Sequence, residues 1–183
     1  STPTVDGHNS TIANGTGKDL SITTTGSNDI VLAIIYMQTV GTHVSSVVAA
    51  SGMPGGFTRR PGNTGRVEIW SGLAASPLNN VVVTATVGGS TQMSVALVGV
   101  NNVFCTASPF DVNASIPYVD TTSQSASYTT SNADDLLVYV CGNTGVFSSI
   151  ANPAGWTALE YTNYGQADLR VSVLSVTATQ SAL

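Results

Sequence analysis

A short phrase that occurs twice, about a hundred residues apart, constrains this chain more than any other feature. The first copy is Thr24-Thr25-Gly26-Ser27-Asn28-Asp29-Ile30-Val31-Leu32, and the second is Thr129-Thr130-Ser131-Asn132-Ala133-Asp134-Asp135-Leu136-Leu137-Val138. Each copy leads into an apolar run, then a loop, then a Gly-aromatic-Thr triplet, Gly56-Phe57-Thr58 and Gly155-Trp156-Thr157. Each closes on a second β-rich run, 66–70 and 168–177. A chain that states one β-motif twice is expected to fold as two similar half-units packed face to face. That expectation concerns architecture, because the repeated residues are core and turn formers rather than reactive groups.

The rest of the pattern is also β. No segment keeps the i, i+3, i+4, i+7 spacing of an amphipathic helix over three turns. Val, Thr and Ile are plentiful where Glu, Lys, Arg and Gln are scarce. Residues 1–17, rich in Gly, Asn and Thr, read as a flexible N-terminal arm, followed by a first short strand over 20–25. The run 29–38 is almost continuously apolar and predicts a central strand covered on both sides. Strands are expected over 42–50 and 67–70, with a loop over 52–65 that holds a short strand at 57–60. Gly88-Gly89 between 80–87 and 91–100 predicts a tight hairpin, since two glycines permit the positive φ angles of a type I′ turn. A connector over 101–122 carries Pro109 and Pro117. Strands over 123–130, 135–141 and 156–161 follow, and 168–179 is expected to be the longest. About ten strands at this spacing predict a single all-β domain over 1–183, a two-sheet jelly-roll β-sandwich built from two similar halves.

Composition excludes several functions. Charged residues make up only 8% of the chain, and the net charge is −5. One lysine and four arginines cannot form a basic stripe, so neither nucleic acid nor an anionic membrane surface is an expected partner. No apolar stretch reaches the ~18 residues that cross a bilayer as a helix. The polar opening at Ser1 has no signal-peptide pattern, so a leader was either removed or never present. Cys105 and Cys141 are too few for a disulfide scaffold; they read as small buried hydrophobes, or as one bridge between the halves.

Catalytic and metal chemistry find little to stand on. His8 and His43 are far apart in sequence, so no metal site is expected. Asp29 and Asp134-Asp135 begin equivalent strands and read as residues that fix strand entry; a calcium ion held by one of them with loop carbonyls is the minor reading. Glu68 and Glu160, the only glutamates, could oppose each other as a glycosidase pair, but read more simply as outward members of alternating strands. There is no nucleophile elbow and no phosphate loop. The chain is expected to be neither an enzyme nor a cofactor binder. Among the aromatics, Phe57 and Trp156 hold equivalent repeat positions and read as core plugs. Trp70, Tyr161 and Tyr164 are the candidates for stacking on a glycan. Arg59 and Arg60, the one local positive pair, are candidate docking residues together with Phe57.

The second half, 128–140 followed by Asn152-Pro153-Ala154-Gly155-Trp156-Thr157, resembles a jelly-roll module of phage virion proteins and of some secreted bacterial proteins. Val67-Glu68-Ile69-Trp70 followed by 81–86 is similar to that module's central strand and hairpin, and the resemblance covers most of 20–178. It implies a place in a virion, as a capsid decoration protein, a head or tail fibre component, or a minor coat subunit. Its partners would be neighbouring subunits in a homo-oligomeric setting, docked through the arm 1–17 and the loop 52–65. The alternative it implies is a secreted carbohydrate-binding or adhesion module.

Overall fold

The computed structural model describes residues 2–62, 65–104, 106–113, 115–119, 128–145 and 150–178. Among them are nine strands and no helix: β1 (Thr4–Ile22), β2 (Asp29–Met37), β3 (Val44–Ala49), β4 (Phe57–Arg59), β5 (Val67–Ala74), β6 (Val81–Asn101), β7 (Asp135–Asn143), β8 (Thr157–Thr162) and β9 (Asp168–Val176). They form two antiparallel sheets. The larger has the order β1-β6-β2-β5-β4 with β3 also on β6, and the smaller has the order β7-β9-β8. The all-β sandwich expected from the sequence is the architecture observed.

The larger sheet doubles over on itself. β1 and β6 run side by side for nearly their whole length, and β6 changes its inner neighbour midway: 83–87 pair with β3, whereas 93–100 pair with β2. The ends of β1 meet, since Asn9 Nδ2 donates to the Ser21 carbonyl at 2.9 Å. A Cβ on Gly7 would stand 2.1 Å from the Thr23 carbonyl oxygen, which leaves glycine as the residue that fits. Inside this fold, Val31, Ala33, Ile35 and Met37 of β2 pack with Met93, Val95 and Leu97 of one half of β6 and Val83, Ala85 and Val87 of the other. The opposite face of β2, Ile30, Leu32, Ile34 and Tyr36, packs on the small sheet through Leu169 and Val171, with Leu136, Val138 and Val140 alongside. β2 is therefore buried at all nine positions, as its unbroken apolar run required.

Three sequence expectations fail here. Gly88-Gly89 is not a hairpin turn: neither glycine has positive φ, and β6 runs straight through them. The residues permit a bend instead of a reversal. The bend coincides with a register shift in β1 between Gly15 and Gly17, and the Gly88 amide bonds to the His43 carbonyl at 2.9 Å. Nor are residues 4–17 a flexible arm. They are the N-terminal part of β1, laddered to β6 along 91–101. The longest strands are β6 and β1, with β9 at nine residues. The strand expected over 123–130 lies largely outside the described residues.

The repeat holds in three dimensions. β2-β5-β4 and β7-β9-β8 have the same order and direction. Asp29 faces Ala74 and Asp135 faces Val176, so Asp135 rather than Asp134 is the counterpart of Asp29. Phe57 pairs with Gly72, two residues before Ala74. Thr157 pairs with Val173, three residues before Val176, which puts Trp156 in the register of Phe57. The two units meet through equivalent faces: Ile30, Leu32 and Ile34 on one side, and their counterparts Leu136, Val138 and Val140 on the other. The Tyr36 ring lies on its own counterpart, Gly142, where a Cβ would come within 2.0 Å of the ring.

Candidate functional site

The candidate docking residues are engaged by the fold. Glu68 on β5 is wholly buried and is approached by Arg59 Nε at 3.0 Å, His43 Nδ1 at 3.0 Å, the Trp70 indole N–H at 3.3 Å and the Val44 amide at 3.3 Å. A buried carboxylate needs such partners to offset its lost hydration. Glu68 is thus no outward member of an alternating strand, because the doubled-over layer covers that face. Arg59 and Trp70 belong to this cluster. The Arg60 guanidinium sits 3.4 Å from the centre of the Phe110 ring, and burial pulls its pKa down. Phe57 is half-buried against the inner core of the large sheet.

Glu160 stands on β8 and not on the counterpart of β5. His8 Nδ1 is 2.7 Å from it, and the Ser10 hydroxyl donates to its other oxygen. These contacts tie β8 to the N-terminal half of β1. Each glutamate has its own partners, and a glycosidase pair does not form. Of the glycan candidates, Tyr161 has the Arg170 guanidinium 4.4 Å from its ring centre, and Tyr164 packs against the core between the sheets. Trp156, expected to plug a core, is half-buried and meets Tyr139 edge to face at 5.9 Å. Cys141 is a free thiol, and Cys105 lies outside the described residues. Among the described residues no group of three or more His, Cys, Asp or Glu could hold a metal ion.

Three features escaped the sequence reading. The first is a cleft of about 870 Å³ between the sheets, walled by Leu32, Ile69, Leu136 and Val138 and edged by Arg60 and Tyr118. It depends on how two sheets diverge, which no local pattern records.

The second is a set of exposed apolar side chains on the connector. Phe104 is 102% exposed and Val112 82%, with Tyr118 and Val119 above two-fifths. Of eight large hydrophobics exposed among the described residues, these four fall within sixteen positions. The remaining four, Ile12, Val40, Val48 and Val82, are scattered over other elements. The connector's polar, Pro-marked composition concealed the set.

The third is a pair of carboxyl contacts, one in each copy of the repeat. Asp6 of β1 accepts from the Thr25 amide at 2.8 Å, the Thr25 hydroxyl at 2.7 Å and the Gly26 amide at 2.6 Å, and it faces Asp29. Asp111 of the connector accepts from the counterpart amides, Ser131 at 2.5 Å and Asn132 at 3.3 Å, and it faces Asp135. Burial raises the pKa of Asp6 and Asp111, but these hydrogen bonds outweigh it and the net displacement is downward. Asp29 and Asp135 are displaced upward, by burial first and then by the facing aspartate; Asp135 reaches about 6. An Asp 23 or 24 residues before each repeated Asp was the available signal, obscured by other aspartates that lie between, such as Asp19 and Asp120.

No family model, curated protein or solved structure matches the chain.

Proposed function

We propose that this chain is a non-enzymatic structural subunit of a virion, a capsid decoration or head/tail-fibre component, that works by burying surface against neighbouring copies and subunits. The observation that carries the reading is the exposed apolar set on the connector, Phe104, Val112, Tyr118 and Val119, on a chain with few charges. Aromatic side chains such as Phe104 and Tyr118 are enriched where protein interfaces bury surface. The motif resemblance of 67–86 and 128–157 to phage virion modules supplies the setting. Docking is assigned to the connector rather than to 1–17 and Arg59-Arg60, since those residues are occupied within the fold. The alternative, a secreted glycan-binding module, has less support, because Trp70, Tyr161 and Tyr164 are each engaged by the protein itself.

The test is self-association measured by sedimentation at low and high salt. The expected outcome is an oligomer insensitive to salt that Phe104→Ser with Val112→Ser dissociates without lowering the melting temperature. A monomer at every concentration that binds an oligosaccharide on an array overturns the reading.

A further inference from the structure

Asp29 is 0% exposed, and neither of its carboxyl oxygens accepts a well-formed hydrogen bond among the described residues, the nearby Thr24 side chain giving only partial relief. Asp135 Oδ2 is buried and unmet in the same way. An ionised carboxylate in such a place carries a penalty that the Thr24 side chain beside Asp29 and the Asn132 side chain beside Asp135 offset only in part, since both groups are still displaced upward. Both problems have one solution. A protonated carboxyl is itself a donor, and the oxygen it faces belongs to an aspartate already held ionised by backbone amides.

A metal ion is the rival occupant, and the surroundings argue against it. Asp6 is ringed by two amides and a hydroxyl, and Asp111 by the Asn113, Ser131 and Asn132 amides. These N–H groups direct positive ends at the carboxylates, which suits an anion and opposes a cation. Space is short as well: a Cβ at Gly26 would lie 1.8 Å from Asn101 Nδ2 and 2.9 Å from Asp29 Oδ1. A proton fits where a hydrated cation does not. The same arrangement arises twice, on counterpart residues and from different preceding elements, so it is a property of the repeat and not an accident of one loop.

We propose that Asp6–Asp29 and Asp111–Asp135 each hold one shared proton, and that they are latches fastening β1 and the connector to the starts of β2 and β7. The two are unequal. Asp29 is sealed and faces the single carboxylate of Asp6. Asp135 is partly open to solvent and faces two carboxylates, Asp111 and Asp134. When its proton leaves, three negative charges crowd one strand start, and the connector slackens there. This inference holds whatever the connector docks on.

The sign of the pH effect follows. A carboxyl whose pKa is raised on folding contributes stability that is complete below its unfolded value, near 3.8, and lost as pH rises through about 6. Asp111 and Asp6, displaced downward, act oppositely and only below about pH 4.

The experiment follows the carboxyl carbon resonances of the intact chain by NMR from pH 3.5 to 8, with amide exchange of the connector measured in parallel. Expected are an Asp135 midpoint near 6, an Asp29 midpoint displaced above the ordinary carboxyl value, and exchange over 106–113 and 115–119 that quickens through the Asp135 midpoint. Asp135→Asn keeps a donor toward Asp111 without a titration, and it should leave connector exchange flat across that range. Ordinary midpoints near 4 for both Asp29 and Asp135 overturn the proposal. So does connector exchange that tracks pH equally in the Asn variant, or a calcium-induced rise in melting temperature that Asp135→Asn abolishes, which would assign the pair to a cation.

Discussion

The two copies of the repeat share strand order, register and a paired carboxyl at the strand start, yet they sit in different surroundings. In the first, β2 has β5 on one side and β6 on the other, and its second face is roofed by the doubled-over part of β1, β6 and β3. In the second, β7 is a sheet edge and half-buried throughout. Its outer face is covered by the loop that contains Ile150, Asn152 and Trp156, through Arg170 to the Ile150 carbonyl and Ser172 to Asn152. One register position shows the consequence. Glu68 on β5 and Arg170 on β9 are counterparts. Under a full roof the position is a sealed carboxylate with four donors; under a loop it is a guanidinium spread over Tyr161. The same strand order and register thus make a core in one place and a half-open surface in the other.

The comparison can be broken most severely at the roof. Removing residues 1–15 takes away the strand that ladders to 91–101, together with Asp6. The truncated chain is expected to lose its cooperative melt by circular dichroism, whereas an arm without structural duty would leave the melt intact. Next in size is the counterpart pair. Glu68→Ala leaves the Val44 amide and the Trp70 indole without an acceptor over an empty buried site, while Arg59 and His43 can turn to solvent, and should cost about 2–4 kcal/mol, the range for two orphaned donors. Arg170→Ala should cost about 1–2 kcal/mol, as a cation–π contact and two part-buried hydrogen bonds to the Ile150 carbonyl are lost. Equal losses in chemical denaturation would show that the two surroundings are equivalent after all.

Counterpart core positions sharpen the same contrast. Ile34→Ala, at a fully buried site, should cost about 2–5 kcal/mol, and Val140→Ala on the half-buried strand about 1 kcal/mol. The smallest effects separate turn glycines from bend glycines. Gly56 and Gly155 are counterparts with φ of 64° and 82° and open space around them. Alanine at either should cost about 1–2 kcal/mol through backbone strain alone. At Gly88, where a Cβ would meet nothing closer than 3.7 Å and φ is not positive, alanine should change stability by less than about 1 kcal/mol. A loss at Gly88 larger than at Gly155 would restore the hairpin reading.

Local pattern determined a good deal of this protein. The period-two runs and missing helix formers set the all-β class. The unbroken apolar run 29–37 announced a strand covered on both faces, and the repeated phrase announced two like units facing each other. These follow from alternation and side-chain size, which act between near neighbours. What only the tertiary structure decided is everything that turns on distant partners. Gly88-Gly89 could reverse a chain or bend it, and the choice fell to β1, which lies alongside both arms and rewards continuity with a ladder. The residues of 4–17 look unanchored until β6 supplies their hydrogen bonds. Asp6 and Asp111 are ordinary polar residues in sequence, and they become carboxyl partners because two separate segments return to the same kind of strand start. Glu68 is sealed, and Phe104 exposed, for the same reason: burial belongs to the layer that arrives from elsewhere in the chain, not to the residue that is covered.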